Sequence, residues 1–172
     1  MKYQVIYESE SGNTARLAKE IAACLPKGHT KLVDINKQNP TLDADVYCIG
    51  FCVHHGICSM KMVELLELLN GKMVLLFATC GMNPTRAYHD VLERTLELFL
   101  PENCDYRGFF LCQGAINKDG FAALKRRFES SRDEETIQRF EEFRIDARDH
   151  PDERDFEEAR EFVTNRFELP DR

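Results

Sequence analysis

Ser9-Glu10-Ser11-Gly12-Asn13-Thr14 brings three hydroxyls, a glycine and a carboxamide into six consecutive residues. The segment follows a run centred on Val5 and Ile6 and precedes a helical pattern of Leu17, Ala18, Ile21, Ala22 and Leu25. A hydroxyl-rich loop at a strand-to-helix turn suits an anion. The helix start offers backbone N–H groups without intrahelical partners, and the helix dipole adds partial positive charge. Ser9, Ser11 and Thr14 add hydroxyl donors, and Gly12 permits close backbone approach. The loop lacks the GK[ST] ending of a Walker A loop and the G-x-G-x-x-G of a dinucleotide fingerprint. It also holds no Lys or Arg, so hydrogen bonds and a dipole would have to neutralise a bound phosphate. The purely structural alternative is a helix capped by Ser11 or Asn13 beside a turn.

A second chemistry-bearing cluster is Cys52, His54, His55 and Cys58, within seven positions. These are zinc- or iron-type ligands, but their spacing is wrong. There is no Cys-x-x-Cys, adjacent His54 and His55 point apart, and no second ligand pair follows at a normal distance. No metal is therefore expected. Seven cysteines in a chain without an export signal read as thiols, and the location as cytoplasmic. Cys24, Cys48 and Cys112 read as small buried residues, while Cys52, Cys58 and Cys80 fall at loops where a thiolate could react. A net charge of -7 disfavours nucleic acid and anionic membrane and is compatible with a basic patch on a partner protein.

The elements that position these residues alternate. Strands are expected at 2–7, 30–35, 45–51, 72–79 and 107–112, with helices at 13–25, 59–69 (Ser59 as N-cap) and 85–100. Met73 to Ala78 is continuously apolar, as in a parallel strand covered on both faces. Alternation of this kind points to a parallel α/β sheet in one domain spanning residues 1–172. Residues 121–129 read as a helix against the fifth strand. From Arg132 onward, Ile137, Phe140, Phe143, Phe156, Phe162 and Phe167 sit among charges. They read as two amphipathic helices split near His150-Pro151, with Asp152 as an N-cap, forming a C-terminal extension (131–172) packed on the domain. Partner or dimer contact is the alternative use of that stripe.

The six-residue loop after the first strand resembles the [ST]-x-[ST]-G-N-T phosphate loop of the flavodoxin family. The resemblance implies a three-layer sandwich with a five-stranded parallel sheet in the order 2-1-3-4-5 and extra C-terminal helices. It also implies FMN at the carboxyl ends of strands one, three and four. Gly50-Phe51 with Gly56, Phe110-Leu111-Cys112-Gln113-Gly114 and His150-Pro151-Asp152-Glu153 extend it. They are similar to a subgroup of stand-alone flavodoxin-like proteins, of the kind encoded beside bilirubin reductase in gut bacteria. On this resemblance Ser9, Glu10, Ser11, Gly12, Asn13 and Thr14 would hold the phosphate. Phe51, Cys52, Val53 and His54, with Thr79, Cys80, Gly81 and Met82, would line the ring. Phe51, Val53, His54 and Met82 are expected to pack on the isoalloxazine, since the chain has no Trp and Tyr88 falls within a helix.

The implied function is an FMN-dependent electron carrier, a monomer or homodimer, serving a partner reductase such as a bilirubin-reductase-like enzyme. No acid–base constellation marks a self-contained enzyme. An FMN-dependent NAD(P)H oxidoreductase of the quinone-reductase kind, and a flavin-free interaction module, are the alternatives. The loop after strand three shows two imidazoles and no carboxylate, so His54 and His55 are expected to raise the flavin potential.

Overall fold

A computed structural model describes residues 1–116, 121–122, 125–126 and 134–169. Five strands form one parallel sheet: β1 (Tyr3–Tyr7), β2 (Thr30–Asp34), β3 (Val46–Cys52), β4 (Met73–Cys80) and β5 (Asp105–Gln113). Their order is β2-β1-β3-β4-β5, the 2-1-3-4-5 arrangement that the family resemblance implied. The described helices are α1 (Asn13–Cys24), α2 (Met60–Glu67), α3 (Arg86–Glu97), α4 (Glu134–Asp146) and α5 (Glu153–Arg166). A short 3₁₀ turn, Ala147–Asp149, joins α4 to α5. Most of the helix expected at 121–129 lies outside the described residues.

The side-chain alternation of the strands divides the core into two layers. Ile6, Tyr47, Ile49, Phe51, Leu76 and Ala78 face α2 and α3, meeting Met62, Leu66, Leu92 and Leu96. Val5, Tyr7, Cys48, Leu75, Phe77 and Phe110 face the other way, meeting Leu17 and Ile21 of α1 and Phe156, Ala159 and Val163 of α5. The C-terminal extension is thus more than a cover. α5 supplies half of one helical layer, and its buried Phe156 alone is worth roughly 1.5–3 kcal/mol. Arg160 of α5 pairs with Glu20 of α1 at 2.7 Å, fastening the two helices to each other.

Gly50 of β3 is dictated by packing. It is paired with Phe77 of β4, and a Cβ at Gly50 would lie 2.1 Å from the Phe77 ring. The absent side chain lets the ring cross the strand. This brings the last residues of β3 and β4 together at the carboxyl edge, where they open into loops.

Local caps place the helix starts. Ser59 Oγ accepts from Met62 N (3.3 Å), as its sequence position predicts. Thr85 Oγ1 accepts from Tyr88 N (3.2 Å), so α3 begins one residue later than expected. Asp152 caps α5 in a reciprocal capping box with Asp155. The bounds of β5 run wider than expected because parallel pairing with β4 extends from Asp105 to Gln113.

Candidate functional site

The loops at the carboxyl edge enclose a cleft of about 460 Å³, within the range of small-molecule sites. It lies where the chain crosses from β1 to β3, the switch point of the sheet. Three loops that are distant in sequence form its walls, with the 9–14 segment at one end.

In the first loop, Gly12 is the N-cap of α1, with φ +91°, in the left-handed region. Only glycine enters this region without strain, and a Cβ there would meet open space. No side chain caps the helix. The alternative of a Ser11 or Asn13 cap is therefore not what forms. The first backbone bond of the helix runs from Arg16 N to Gly12 O (3.0 Å), leaving the preceding first-turn N–H groups uncapped. The polar side chains brace the loop instead. Ser9 Oγ accepts from Gly12 N (3.1 Å), and Asn13 Nδ2 donates to Ser11 Oγ (3.1 Å) and to Ala115 O (2.8 Å).

The Thr14 side chain packs against the sheet, while its backbone N–H stays in the first turn of α1. The residue is buried, and its hydroxyl lies 2.9 Å from that of Thr79 at the end of β4. Through that contact it ties the phosphate-type loop to the sheet. The loop lining comes from Glu10, Ser11 and Asn13.

The loop after β3 contributes Cys52, Val53 and His54, as expected, together with His55 and Gly56. Phe51 does not reach the cleft. It is fully buried, stacked on Phe109 with ring centroids 6.2 Å apart and planes 8° apart. Strand alternation decides this: Phe51 points into the layer under α2 and α3, one residue before the loop turns outward. His54 and Ile57 exchange two backbone hydrogen bonds, 2.9 and 3.1 Å long. The two residues between them, His55 (φ +51°) and Gly56 (φ +82°), both have positive φ, the geometry of a type I′ turn. His54 Nε2 comes within 3.6 Å of Glu10 Oε2. The loop's own residues offer no carboxylate, but the fold delivers one from 44 positions earlier. The imidazole expected to face the flavin alone therefore faces a carboxylate as well.

After β4, Thr79, Cys80, Gly81 and Met82 all line the cleft as expected. Met82 remains 41% exposed at its rim. Burial pushes the Cys80 thiol up to about 12, and its Sγ donates to Met82 O at 3.1 Å. Burial, then the Glu10 carboxylate, also pushes the Cys52 thiol up. Neither is a thiolate near neutral pH, so the reactive cysteines expected here are absent from this wall. Cys58 lies in the core under α2, not in the cleft.

Sequence reasoning missed one wall and one ring. Gly114, Ala115 and Ile116, directly after β5, close the cleft on its far side. Gly114 sits so tightly that a Cβ would lie 3.0 Å from Asn13 Nδ2 and 3.2 Å from Thr79 Cβ. The signal was the Phe110–Gly114 stretch, whose glycine marks a close approach. Tyr88 lines the cleft from the first turn of α3, although it is helical. Being in a helix does not remove a side chain from a cleft when the helix starts at its edge.

The cysteines are all free. No described helix is long and apolar enough to cross a membrane. Cys52, His54, His55 and Cys58 do not gather as ligands among the described residues, where the single metal-competent group is His150, Asp152 and Asp155. That trio is occupied with capping α5.

A flavodoxin-domain model matches residues 4–164. The chain belongs to the flavodoxin domain family. It is similar to the flavodoxin-like domain-containing protein BilS of Clostridioides difficile strain CD3. The two are 29% identical over 172 residues, covering 96% of each chain. The flavodoxin of Streptococcus pneumoniae TIGR4 shares its fold over 99% of this chain and 100% of its own, with TM-score 0.60 at 12% identity. A flavoprotein of Lactobacillus acidophilus NCFM, solved in complex with FMN, matches over 64% of this chain and 93% of its own. Its TM-score is 0.50 at 16% identity.

Proposed function

We propose that this flavodoxin-family chain binds FMN in the carboxyl-edge cleft and carries electrons to a separate reductase. The observation that supports it most is the uncapped N-terminus of α1, opened by Gly12 and set at the end of the cleft. A dianionic phosphate would receive first-turn N–H groups, the helix dipole and the Ser9 and Ser11 hydroxyls. No cation is needed in the loop, which fits the absence of Lys and Arg from residues 9–14.

The remaining walls fit a flat ring. Gly56, Gly81 and Gly114 bring backbone close to the cleft, while Val53, Met82, Tyr88 and Ile116 supply apolar surface. The acidophilus neighbour, with its bound FMN, supports the same cofactor. When bound, FMN supplies one- and two-electron redox chemistry. The chain's contribution is to hold the phosphate, exclude water from the ring with the three loops, and set charge near it through the Glu10–His54 pair. Burial raises the Cys52 and Cys80 thiols, which makes them poor nucleophiles at neutral pH.

The partner is a reductase, and the subgroup resemblance favours one of the bilirubin-reductase kind. FMN titration followed by flavin fluorescence tests the cofactor, with saturable quenching as the expected result. NADPH oxidation by the loaded protein tests the role. A carrier needs an added reductase, and unaided turnover would make this an NAD(P)H oxidoreductase. A protein that takes up no FMN would be an interaction module on the same fold.

A further inference from the structure

Among the described residues, a hydrogen-bond chain links the C-terminal extension to the cleft wall. Ala115 N donates to the backbone carbonyl of His150 at 2.8 Å. On its other side, Ala115 O accepts from Asn13 Nδ2 at 2.8 Å. The Ala115 residue, in the middle of the wall after β5, is thus held between the phosphate-type loop and the extension. Gly114 N donates to Cys80 O (2.8 Å), and Ile116 fills the space over Gly81, where a Cβ would be 2.8 Å from it. His150 is itself anchored. Its Nδ1 is hydrogen-bonded to Asp155 Oδ2, which also accepts from Asp152 N at 2.8 Å. A carboxylate only accepts, so Nδ1 carries the proton in this contact. Asp155 is on α5, and α5 is buried on α1, whose first residue is Asn13. The chain of contacts therefore closes on itself through the two helices.

We infer that His150 is a positioning residue for the cofactor cleft: its Asp155-anchored ring sets the carbonyl that holds the Ala115 wall. This rests on the reading of the cleft as the FMN site. The extension then does two separable jobs. α5 completes the core, and His150, two residues before its cap, sets the shape of a binding wall 35 positions earlier in the chain. A capped helix start is rigid, so the carbonyl two residues ahead of Asp152 is delivered to a fixed place. Preorganising the wall lowers the cost of ordering it on binding.

Two substitutions of near-equal size separate this from a general role in folding. Asparagine places its amide nitrogen where His150 Nδ1 lies, and glutamine places it where Nε2 lies, away from Asp155. In the full chain without flavin, amide hydrogen exchange at Ala115 should quicken about tenfold in His150→Gln. It should remain at the wild-type rate in His150→Asn. The FMN dissociation constant should rise about tenfold in His150→Gln alone, with the visible circular dichroism of bound flavin altered in the same variant. Equal Ala115 exchange and equal FMN affinity in all three proteins would overturn the inference. So would equal losses in both variants, which would mark bulk at position 150 as the cause. Failure of the wild type to bind FMN would remove the functional reading, and Ala115 exchange would still decide whether the clamp exists.

Discussion

The two ends of the cleft are built in opposite ways. The anion end is one continuous segment, Ser9 to Thr14, at a strand-to-helix turn. The ring end is assembled from loops after β3, β4 and β5, plus the first turn of α3. At the proposed anion end the uncapped first-turn N–H groups of α1 are the main donors on offer, while the side chains of Ser9, Asn13 and Thr14 brace the loop. At the ring end the surface is shared between side chains such as Val53, Met82 and Tyr88 and the backbone of Gly56, Gly81 and Gly114. The lesson is that contacts to a phosphate and contacts to a ring should be separable by choice of ligand, although Asn13–Ala115, Thr14–Thr79 and Glu10–His54 join the two ends.

The sharpest break would come from removing the phosphate. FMN should bind at least ~100-fold more tightly than riboflavin, since two or more charge-assisted hydrogen bonds at about 1.5–3 kcal/mol each are lost. Parallel fluorescence titrations measure this, and equal affinities would abolish the distinction between the two ends. Next, Ser11→Ala should weaken FMN about tenfold, roughly 1.5 kcal/mol, by loosening the loop brace at Asn13 and removing a hydroxyl. Riboflavin affinity should be unchanged in the same titration.

Cys80 at the ring end is buried, and its thiol should show that in alkaline solution. The Cys80 thiol is held protonated up to about 12 in the folded state. The unfolded chain releases that proton near pH 9, so the folded state then binds more protons. Stability from this group is full below pH 9 and is lost as pH rises toward 12, at about 1.4 kcal/mol per pH unit. Urea unfolding from pH 8 to 11 should show the decline, and Cys80→Ala should make it shallower. A slope identical in both proteins would mean that Cys80 titrates freely. The smallest effect should be Tyr88→Ala, which removes an aromatic face from the wall. It should cost about 1 kcal/mol in FMN and riboflavin affinity alike. A loss confined to FMN would place Tyr88 at the anion end.

Much of this architecture was legible along the chain. Periodicity marked all five strands, and the caps at Ser59 and Asp152 are where their types and spacing place them. These are local properties: a cap needs a residue and an N–H three positions on, and a strand needs its own alternation. The sheet order was not legible from periodicity and came through family resemblance. Phe51 shows the limit from the other side. Its place after Gly50 suggested the ring wall, but side-chain alternation is absolute within a strand, and β3 ends one residue later, so Phe51 turns into the core.

What the amino-acid order determined is therefore the hydroxyl-rich strand-to-helix turn at 9–14, because a turn between two adjacent elements is a short-range object. The tertiary structure alone decided the partners across the cleft. Glu10 meets His54 because β1 and β3 are neighbours in the sheet. Thr14 is buried on Thr79 because α1 returns over β4. Ala115 reaches His150 because α5 lies on α1. Each pairing joins residues 35 to 65 positions apart, and no local pattern encodes which distant segment will close a loop. Packing of the two helical layers on the sheet selects it.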